Sequence, residues 1–253
     1  MENSVTLWVV IPALNEERGI AGTLAALACQ DDVDFTVVVV DNGSTDRTVE
    51  LVRSFADAHP VPRLEVIAEA QKGTGAAADT GMRYAIAQGA TLLARTDADC
   101  LPAADWITQL RAGFASGLRL VSGQLLPRTD EDVSWFDRTV IRVALEVASE
   151  FGKLRPGNRD PRYLGPYVMT PGCNMAITAE LYELAGGFPR TAIEDVHEDR
   201  ALVNAVRMVT TDYGLRRQMR VHASNRRVRA WGIRKTLAWY ADHRYRPEIV
   251  DIR

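Results

Sequence analysis

Four short apolar runs near the N-terminus constrain the fold of this chain more than any other feature. Each run has the length and the Val, Ile and Leu content of a strand, and the first two read as buried strands. The runs occupy residues 5–11, 35–40, 64–67 and 91–96. Apolar residues at helical spacing predict helices between them, over 16–29, 46–58 and 74–88. This alternation predicts an α/β fold with a doubly wound, mostly parallel sheet and helices on both faces.

The second half of the chain has a less regular pattern. Its apolar spacing predicts helices over 133–151, 179–185 and 198–206, an extended segment over 168–177 and a short strand over 220–223. The turn-rich segment 155–161 has no periodicity, and we interpret it as a mobile loop.

Composition and charge exclude several classes of protein. The net charge of -3 over 253 residues is too small to predict a nucleic acid as partner. Three cysteines lie far apart without a CxxC pair, which fits a reducing compartment and argues against a structural metal cluster. The N-terminus lacks a signal-peptide pattern, and no apolar stretch approaches the roughly 18 residues that span a bilayer. We therefore expect a cytoplasmic protein without a transmembrane segment, and contact with the inner face of the membrane stays open.

A polar cluster follows each of the four predicted strands. The clusters are residues 15–17, 41–46, 72–75 and 97–99. Ligands of doubly wound sheets bind beyond the carboxyl ends of the strands, so the four clusters are expected on one face of the molecule. This convergence predicts a ligand site at that edge of the sheet.

Asp97 and Asp99 flank Ala98 directly after the fourth strand. Carboxylates at i and i+2 of an extended chain point to one side and repel each other unless a cation lies between them. Such oxygen ligands suit Mg²⁺ or Mn²⁺ bridging two phosphates of a nucleoside diphosphate, where the metal acts as a Lewis acid. Alternatively, this acidic turn merely starts the helix that follows Pro102. The pair alone does not distinguish the two interpretations.

The clusters after the second and third strands also have two interpretations each. Residues 43–46 supply a tight turn and a helix cap, but capping does not explain Asp41, whose carboxylate can accept the imide N–H of uracil or thymine. Lys72 and the two glycines after it offer a cation and backbone N–H groups to a phosphate. A flexible turn between strand and helix explains the same residues equally well.

Together these motifs resemble family 2 glycosyltransferases of the GT-A fold. The resemblance rests on Val-Ile-Pro-Ala-Leu-Asn-Glu at 10–16, Val-Asp-Asn-Gly-Ser-Thr-Asp at 40–46, Lys-Gly-Thr-Gly at 72–75 with Gly81, and Asp-Ala-Asp at 97–99. It continues in Pro-Gly-Cys-Asn-Met-Ala at 171–176, Gly-Gly-Phe-Pro at 186–189 and the acidic pair at 198–199. It implies a single GT-A domain over 1–253, Rossmann-like, with a nucleotide-sugar-binding half at 1–125. The remainder, 126–253, would be an acceptor-binding half with a basic C-terminal segment.

The resemblance also implies roles for individual residues. Asp41 would read the base, Lys72 would lie near the ribose or diphosphate, and Asp97 would lie near the ribose and the metal. Asp99 would be the main ligand of Mn²⁺ or Mg²⁺. The implied donor-binding set is Pro12, Ala13, Asn15, Glu17, Asp41, Lys72, Asp97 and Ala98.

In the family an acidic pair supplies the catalytic base, and the resemblance carries this role to Asp199 with Glu198 beside it. The base would deprotonate an acceptor hydroxyl, which attacks the anomeric carbon in line with the departing diphosphate and inverts its configuration. Glu194 and Asp195 form a rival pair four residues earlier. The Arg-Ala-Leu sequence at 200–202 resembles the residues that trail the family motif and favours 198–199. Either pair also suits a helix N-terminus.

Two features near the C-terminus have open interpretations. In some GT-A enzymes a late histidine completes the metal sphere, so His222 is a candidate ligand beside Asp99 and Asp97; a half-buried strand histidine is the alternative. The segment 213–241 holds eight Lys or Arg and no acid, which a solvated face explains. Its functional interpretations are diphosphate binding by Arg226 or Arg227, contact with an anionic membrane surface, or an acidic protein partner.

The leading hypothesis is a metal-dependent inverting glycosyltransferase that uses a UDP-sugar. The acceptor hydroxyl would belong to a small-molecule, lipid-linked or carrier-bound substrate, and a homodimer is compatible with the sequence. Two departures from the family pattern, Asn42 in place of an acid and Ala78-Asp79 in place of Arg-Asn, put the exact donor contacts in question. The alternatives are a nucleotidyltransferase, which needs a Gly-rich loop at 12–16, and a non-catalytic nucleotide-sugar-binding module, which the retained carboxylates disfavour.

Overall fold

The fold is built on one mixed sheet. The computed structural model describes residues 5–60, 62–131, 134, 136, 138–143, 158–190, 197–232 and 234–236. Within these ranges eight strands follow the order β3-β2-β1-β4-β7-β6-β8-β5. The strands are β1 (Leu7–Ala13), β2 (Thr36–Asp41), β3 (Arg63–Ala68), β4 (Leu92–Arg95), β5 (Leu101–Pro102), β6 (Leu120–Pro127), β7 (Met175–Thr178) and β8 (Tyr213–Ala223). Strands β1 to β4 are mutually parallel, whereas β7 and β5 run antiparallel to their neighbours.

Helices cover both faces of this sheet, as the sequence predicts. They are α1 (Ile20–Ala28), α2 (Thr48–Ala58), α3 (Thr74–Ala87), α4 (Trp106–Ala115), α5 (Ala179–Leu184), α6 (Glu198–Arg207) and α7 (Arg226–Trp231). Alternate residues of β1 belong to two cores: Val10 lies in the core that includes residues of α3, α5 and α6, and Val9 lies in the core that includes residues of α1, α2 and α4. All seven residues of β1 are buried, which is why this strand reads as a continuous apolar run.

The second half differs from the prediction in several elements. The segment 168–177 is strand only from Met175, because a turn closes on Pro171, whose carbonyl accepts the N–H of Asn174 at 2.9 Å. The strand predicted at 220–223 is the end of the longer β8. Elements β5, β6 and α7 have no counterpart in the prediction, whereas α4 is the helix that one interpretation placed after Pro102. The predicted helix 133–151 and loop 155–161 lie largely outside the described residues. No helix in the described ranges is long and apolar enough to cross a membrane.

A fully buried amide, that of Asn174, holds the strands of the second half in register. Its Nδ2 donates to the carbonyls of Gln124, at 2.9 Å, and Met219, at 3.0 Å. Its Oδ1 accepts the indole N–H of Trp106 at 2.9 Å. The amide lies beside the register shift in β6 between Gly123 and Gln124, where a side chain on Gly123 would overlap it. One side chain therefore joins β6, β8 and α4.

Helix α3 packs against the sheet through its backbone at Gly81. A Cβ added there would overlap Cγ1 of Val10 and lie 2.7 Å from Cγ2 of Val40. We expect Gly81→Ala to lower the free energy of unfolding by about 1–3 kcal/mol, because overpacking forces neighbouring side chains to move. Urea denaturation measures the loss.

The matched control is Gly22→Ala in α1, where an added Cβ meets nothing closer than Leu101 at 3.5 Å. Since alanine favours a helix over glycine, we expect this variant to be as stable as the wild type or more stable by about 0.5–1 kcal/mol. An equal loss in both variants would contradict the close approach at Gly81 as the cause.

Candidate functional site

The turns after β1 and β2 form one interlocked structure at the carboxyl edge of the sheet. Strand register places Ala13 opposite Asp41. The side chain of Asn15, a residue with φ of 52°, accepts the N–H of Thr45 at 2.8 Å. The N–H of Glu17 in turn donates to Asp46 at 3.0 Å. Residues 43–46 thus hold the turn that follows β1. The two segments predicted to bind the nucleoside, residues 12–17 and Asp41, therefore lie side by side at the carboxyl edge of the sheet.

The loop that carries Lys72 meets the second half of the chain at this edge. Lys72 is exposed, and α3 begins two residues after it. A Cβ on Gly75, in the first turn of α3, would overlap the carbonyl oxygen of Pro189 and lie 3.3 Å from Cβ of Glu198. The Lys72 loop and the predicted catalytic pair therefore lie on neighbouring elements.

Arg95, the last residue of β4, is a site residue that sequence reasoning missed. It is only 2% exposed, and its Nη2 lies 3.2 Å from Oδ1 of Asp97 and 3.2 Å from Oε1 of Glu198. The guanidinium also lies over the Phe188 ring, 5.2 Å from the ring centroid. Arginine is almost never fully buried without a partner. An arginine within a buried apolar run therefore indicated a nearby acid, and this signal could have identified Arg95. This cation joins the acid after β4 to the acid that begins α6.

Asp199 is half-buried and is held by backbone hydrogen bonds. Its carboxylate accepts the N–H of Arg200 at 2.6 Å and that of Gly172 at 3.3 Å. Burial raises the pKa of Asp199 against the lowering effect of these bonds and of Arg95. Burial likewise raises the pKa of Glu198, which Arg95 partly offsets. A carboxylate held this way is more basic than usual and is suited to accept a proton.

Gly172 comes so close to Arg95 that it has no room for a side chain. An added Cβ would lie 2.9 Å from Nη1 of Arg95. The turn at 171–174 therefore follows the surface of the buried guanidinium. The rival acids Glu194 and Asp195 lie outside the described residues.

Arg226 brings helix α7 to the predicted metal ligand. Its Nη2 lies 2.8 Å from Oδ2 of Asp99 and 2.7 Å from Oε1 of Glu16, and its Nη1 donates to Oε2 of Glu16 at 3.0 Å. The structure thus places Arg226 beside Asp99, and its role at a diphosphate stays a prediction. It also adds Glu16, which the prediction did not include. The side chain of Arg227 is not among those described.

His222 does not join the two aspartates in a three-ligand group. It pairs with Leu101 of β5 and Leu126 of β6, and its Nδ1 lies 3.4 Å from the carbonyl oxygen of Pro127. Among the described residues, no three His, Cys, Asp or Glu side chains are arranged to hold a metal ion. The set Asp97, Asp99 and His222 is therefore not assembled by the protein alone.

The donor chemistry nevertheless fits a magnesium or manganese ion that is completed by phosphate oxygens. Such ions are commonly held by one or two carboxylates together with substrate phosphates. One oxygen of Asp99 pairs with Arg226, and the other has a weak partner, the Cys100 thiol at 3.5 Å. Asp99 thus offers a carboxylate oxygen at the edge where the phosphate-binding candidates Lys72 and Arg226 also lie.

A mixed sheet with four parallel N-terminal strands and helices on both faces defines an α/β protein of the GT-A fold, which solved glycosyltransferases share. The model of the family Glycosyl transferase family 2 matches residues 8–183. This chain belongs to that family.

Three known proteins illustrate the relationship. Glycosyltransferase AglE of Haloferax volcanii is 35% identical over 121 residues, which are 46% of this chain and 38% of AglE. The chain thus spans well under two thirds of that relative. The mannosyltransferase PcManGT from Pyrobaculum calidifontis, solved with GDP-Man and Mn²⁺, has a TM-score of 0.67 and 25% identity over 94% of this chain and 63% of its own. Glucosyl-3-phosphoglycerate synthase from Mycobacterium tuberculosis, solved with Mn²⁺, UDP-glucose and phosphoglyceric acid, has a TM-score of 0.59 and 21% identity over 94% of this chain and 80% of its own.

Proposed function

We propose that this chain is a metal-dependent inverting glycosyltransferase that moves a sugar from a UDP-sugar to an acceptor hydroxyl. The observation that carries the proposal is the bridge through Arg95, whose guanidinium lies 3.2 Å from both Asp97 and Glu198. Asp97, a predicted donor-binding residue, and the acidic pair that begins α6 therefore lie around the same guanidinium. In this proposal residues 1–125 bind the donor and 126–253 bind the acceptor.

The donor would lie across the ends of β1, β2 and β4. Pro12 and Ala13 end β1, and Asp41 stands opposite Ala13 at the end of β2, where its carboxylate can accept the uracil imide. Lys72 supplies positive charge for the diphosphate from the β3 side. Arg226 supplies it from the opposite side, next to Asp99. Asp99, with Asp97 as the second carboxylate, would hold Mn²⁺ or Mg²⁺, which when bound neutralises charge on the leaving diphosphate.

Asp199 is the base in this proposal because Glu198 is already engaged. Glu198 pairs with Arg95, whereas Asp199 accepts only backbone N–H groups among its hydrogen bonds that the structure describes. Burial raises the pKa of Asp199, which favours uptake of a proton by this carboxylate. It would take the proton of the acceptor hydroxyl as the oxygen attacks the anomeric carbon opposite the diphosphate, and one such displacement inverts the configuration.

The metal role is tested by titrating Mn²⁺ with and without UDP in a calorimeter. Because the described protein groups offer two carboxylates and no three-ligand set, we expect weak Mn²⁺ binding alone and at least tenfold tighter binding with UDP. Asp99→Asn should remove this gain. Equal Mn²⁺ affinity in both conditions, or UDP release from UDP-sugars that ignores both metal and Asp99→Asn, contradicts the proposed metal site.

Donor choice and stereochemistry need two further measurements. UDP should bind more tightly than GDP, and Asp41→Ala should reduce this preference. A preference for GDP would overturn the assignment of Asp41 to uracil while leaving glycosyl transfer intact. Proton NMR of the product gives the anomeric configuration, and retention would exclude the single displacement.

A further inference from the structure

Asn42 follows Asp41 at the end of β2, where the family often carries a second acid. It is 4% exposed, and its backbone N–H donates to the carbonyl of Ala13 at 2.8 Å. Its Nδ2 donates to the carbonyls of Glu69 at 2.9 Å and Gln71 at 2.8 Å. Its Oδ1 accepts the N–H of Gly73 at 2.9 Å. One amide therefore uses both donor hydrogens and its acceptor on a single loop.

These contacts hold the backbone on either side of Lys72. Gln71 and Gly73 are its two chain neighbours, and Gly73 has a φ of 134°, a conformation that side chains rarely adopt. The backbone on both sides of Lys72 is thus fixed to the end of β2. Aspartate has the shape of asparagine but no donor at this position, so it would turn an oxygen toward the two carbonyls.

The same loop is also held from its other side. Arg190 pairs with Glu69 at 2.7 Å, and its carbonyl accepts the amide of Gln71 at 2.7 Å. These bonds do not depend on Asn42. Loss of the Asn42 amide should therefore shift the backbone around Lys72 without releasing the whole loop.

We propose that Asn42 is a positioning residue that sets Lys72 for the donor diphosphate. The inference rests on the proposed function, since it requires Lys72 to contact the donor. It links the two donor contacts through one strand end: Asp41 reads the base, and the next residue fixes the cation that meets the phosphates.

A double-mutant cycle tests the inference. UDP affinity is measured by calorimetry in saturating Mn²⁺ for the wild type, Asn42→Asp, Lys72→Met and the double variant. We expect each single change to weaken UDP binding by about tenfold, and the double variant to be no weaker than Lys72→Met alone. Losses that multiply in the double variant, or an Asn42→Asp protein with wild-type affinity, overturn the proposal. Should Asn42→Asp not fold, Asn42→Ala takes its place in the same cycle.

Asn174→Asp is the matched control. Asn174 makes the same set of bonds, two from Nδ2 to carbonyls and one to Oδ1, in the core between β6 and β8. We expect it to lower Tm at least as much as Asn42→Asp, while Lys72→Met weakens UDP binding as strongly in its background as in the wild type. A cycle with Asn174 that shows the same loss of coupling would mean that general destabilisation, and not positioning, is responsible. If the wild type binds neither UDP nor GDP, the proposed function fails; if it binds and Asn42→Asp has no effect, only this inference fails.

Discussion

Replacing Asp199 with asparagine is expected to lower kcat by about 10²- to 10⁴-fold, the usual contribution of a general base. UDP affinity should stay near the wild-type value, because Asp199 is not among the proposed donor contacts. Its carboxylate accepts the backbone N–H groups of Gly172 and Arg200. Steady-state turnover and calorimetry on the same preparation separate the two effects. Wild-type turnover in this variant would move the role of base elsewhere, with Asp195 as the next residue to test.

The same variant should be more stable than the wild type at neutral pH. Burial raises the pKa of Asp199 in the folded state. A group with a raised folded-state pKa contributes its stability below the unfolded pKa and loses it as pH rises through the folded pKa. Asparagine does not titrate, so the gain in Tm should be larger at pH 8 than at pH 4. The raised pKa also predicts that kcat/KM falls as the solution becomes acidic, with a limb that Asp199→Asn removes.

Replacing Arg95 with methionine is expected to destabilise the fold by about 3–5 kcal/mol and to abolish transfer. The change leaves the largely buried Glu198 without its cation, and an uncompensated buried charge is costly; the half-exposed Asp97 loses the same partner. Guanidinium denaturation measures the loss. Adding Glu198→Gln removes one of the stranded acids, so the double variant should regain part of the stability of the wild type without regaining activity.

Arg83→Met is the control for this experiment. Arg83 is half exposed and pairs with the buried Asp79, which also bonds the Tyr182 hydroxyl at 2.8 Å and Arg190 at 3.3 Å. Asp79 therefore keeps compensating partners, and we expect a loss below about 1 kcal/mol. Similar losses at Arg83 and Arg95 would contradict the special role of the Arg95 bridge.

The first half of the fold was predictable because its signals are local. The apolar runs that became β1, β2 and β4 are largely buried, whereas β3 at the edge of the sheet is half-buried with exposed ends, and the helices between them keep an apolar stripe. The convergence of the four polar clusters then followed from the rule that ligands bind beyond the carboxyl ends of parallel strands. The predicted bounds differ by a few residues where turns intervene, as at α1, which begins at Ile20 and not at residue 16.

The remainder depends on contacts between residues that are distant along the chain. Arg95 and Glu198 are 103 residues apart, and Arg226 and Glu16 are 210 apart, so no local pattern predicts either pair. Strand β6 was missed for a different reason. It contains Gly123 at a register shift and pairs with β8, whose exposed residues alternate irregularly, so its apolar pattern is short and broken.

The close approach of Gly172 to Arg95 has an evolutionary consequence. A side chain at position 172 and the guanidinium of Arg95 would compete for the same space, because a Cβ at position 172 would lie 2.9 Å from Nη1. Among relatives, a side chain at the position of Gly172 should occur only with a smaller residue at the position of Arg95. A lineage that changed either position first would lose stability until the other changed, so the pair should be inherited together.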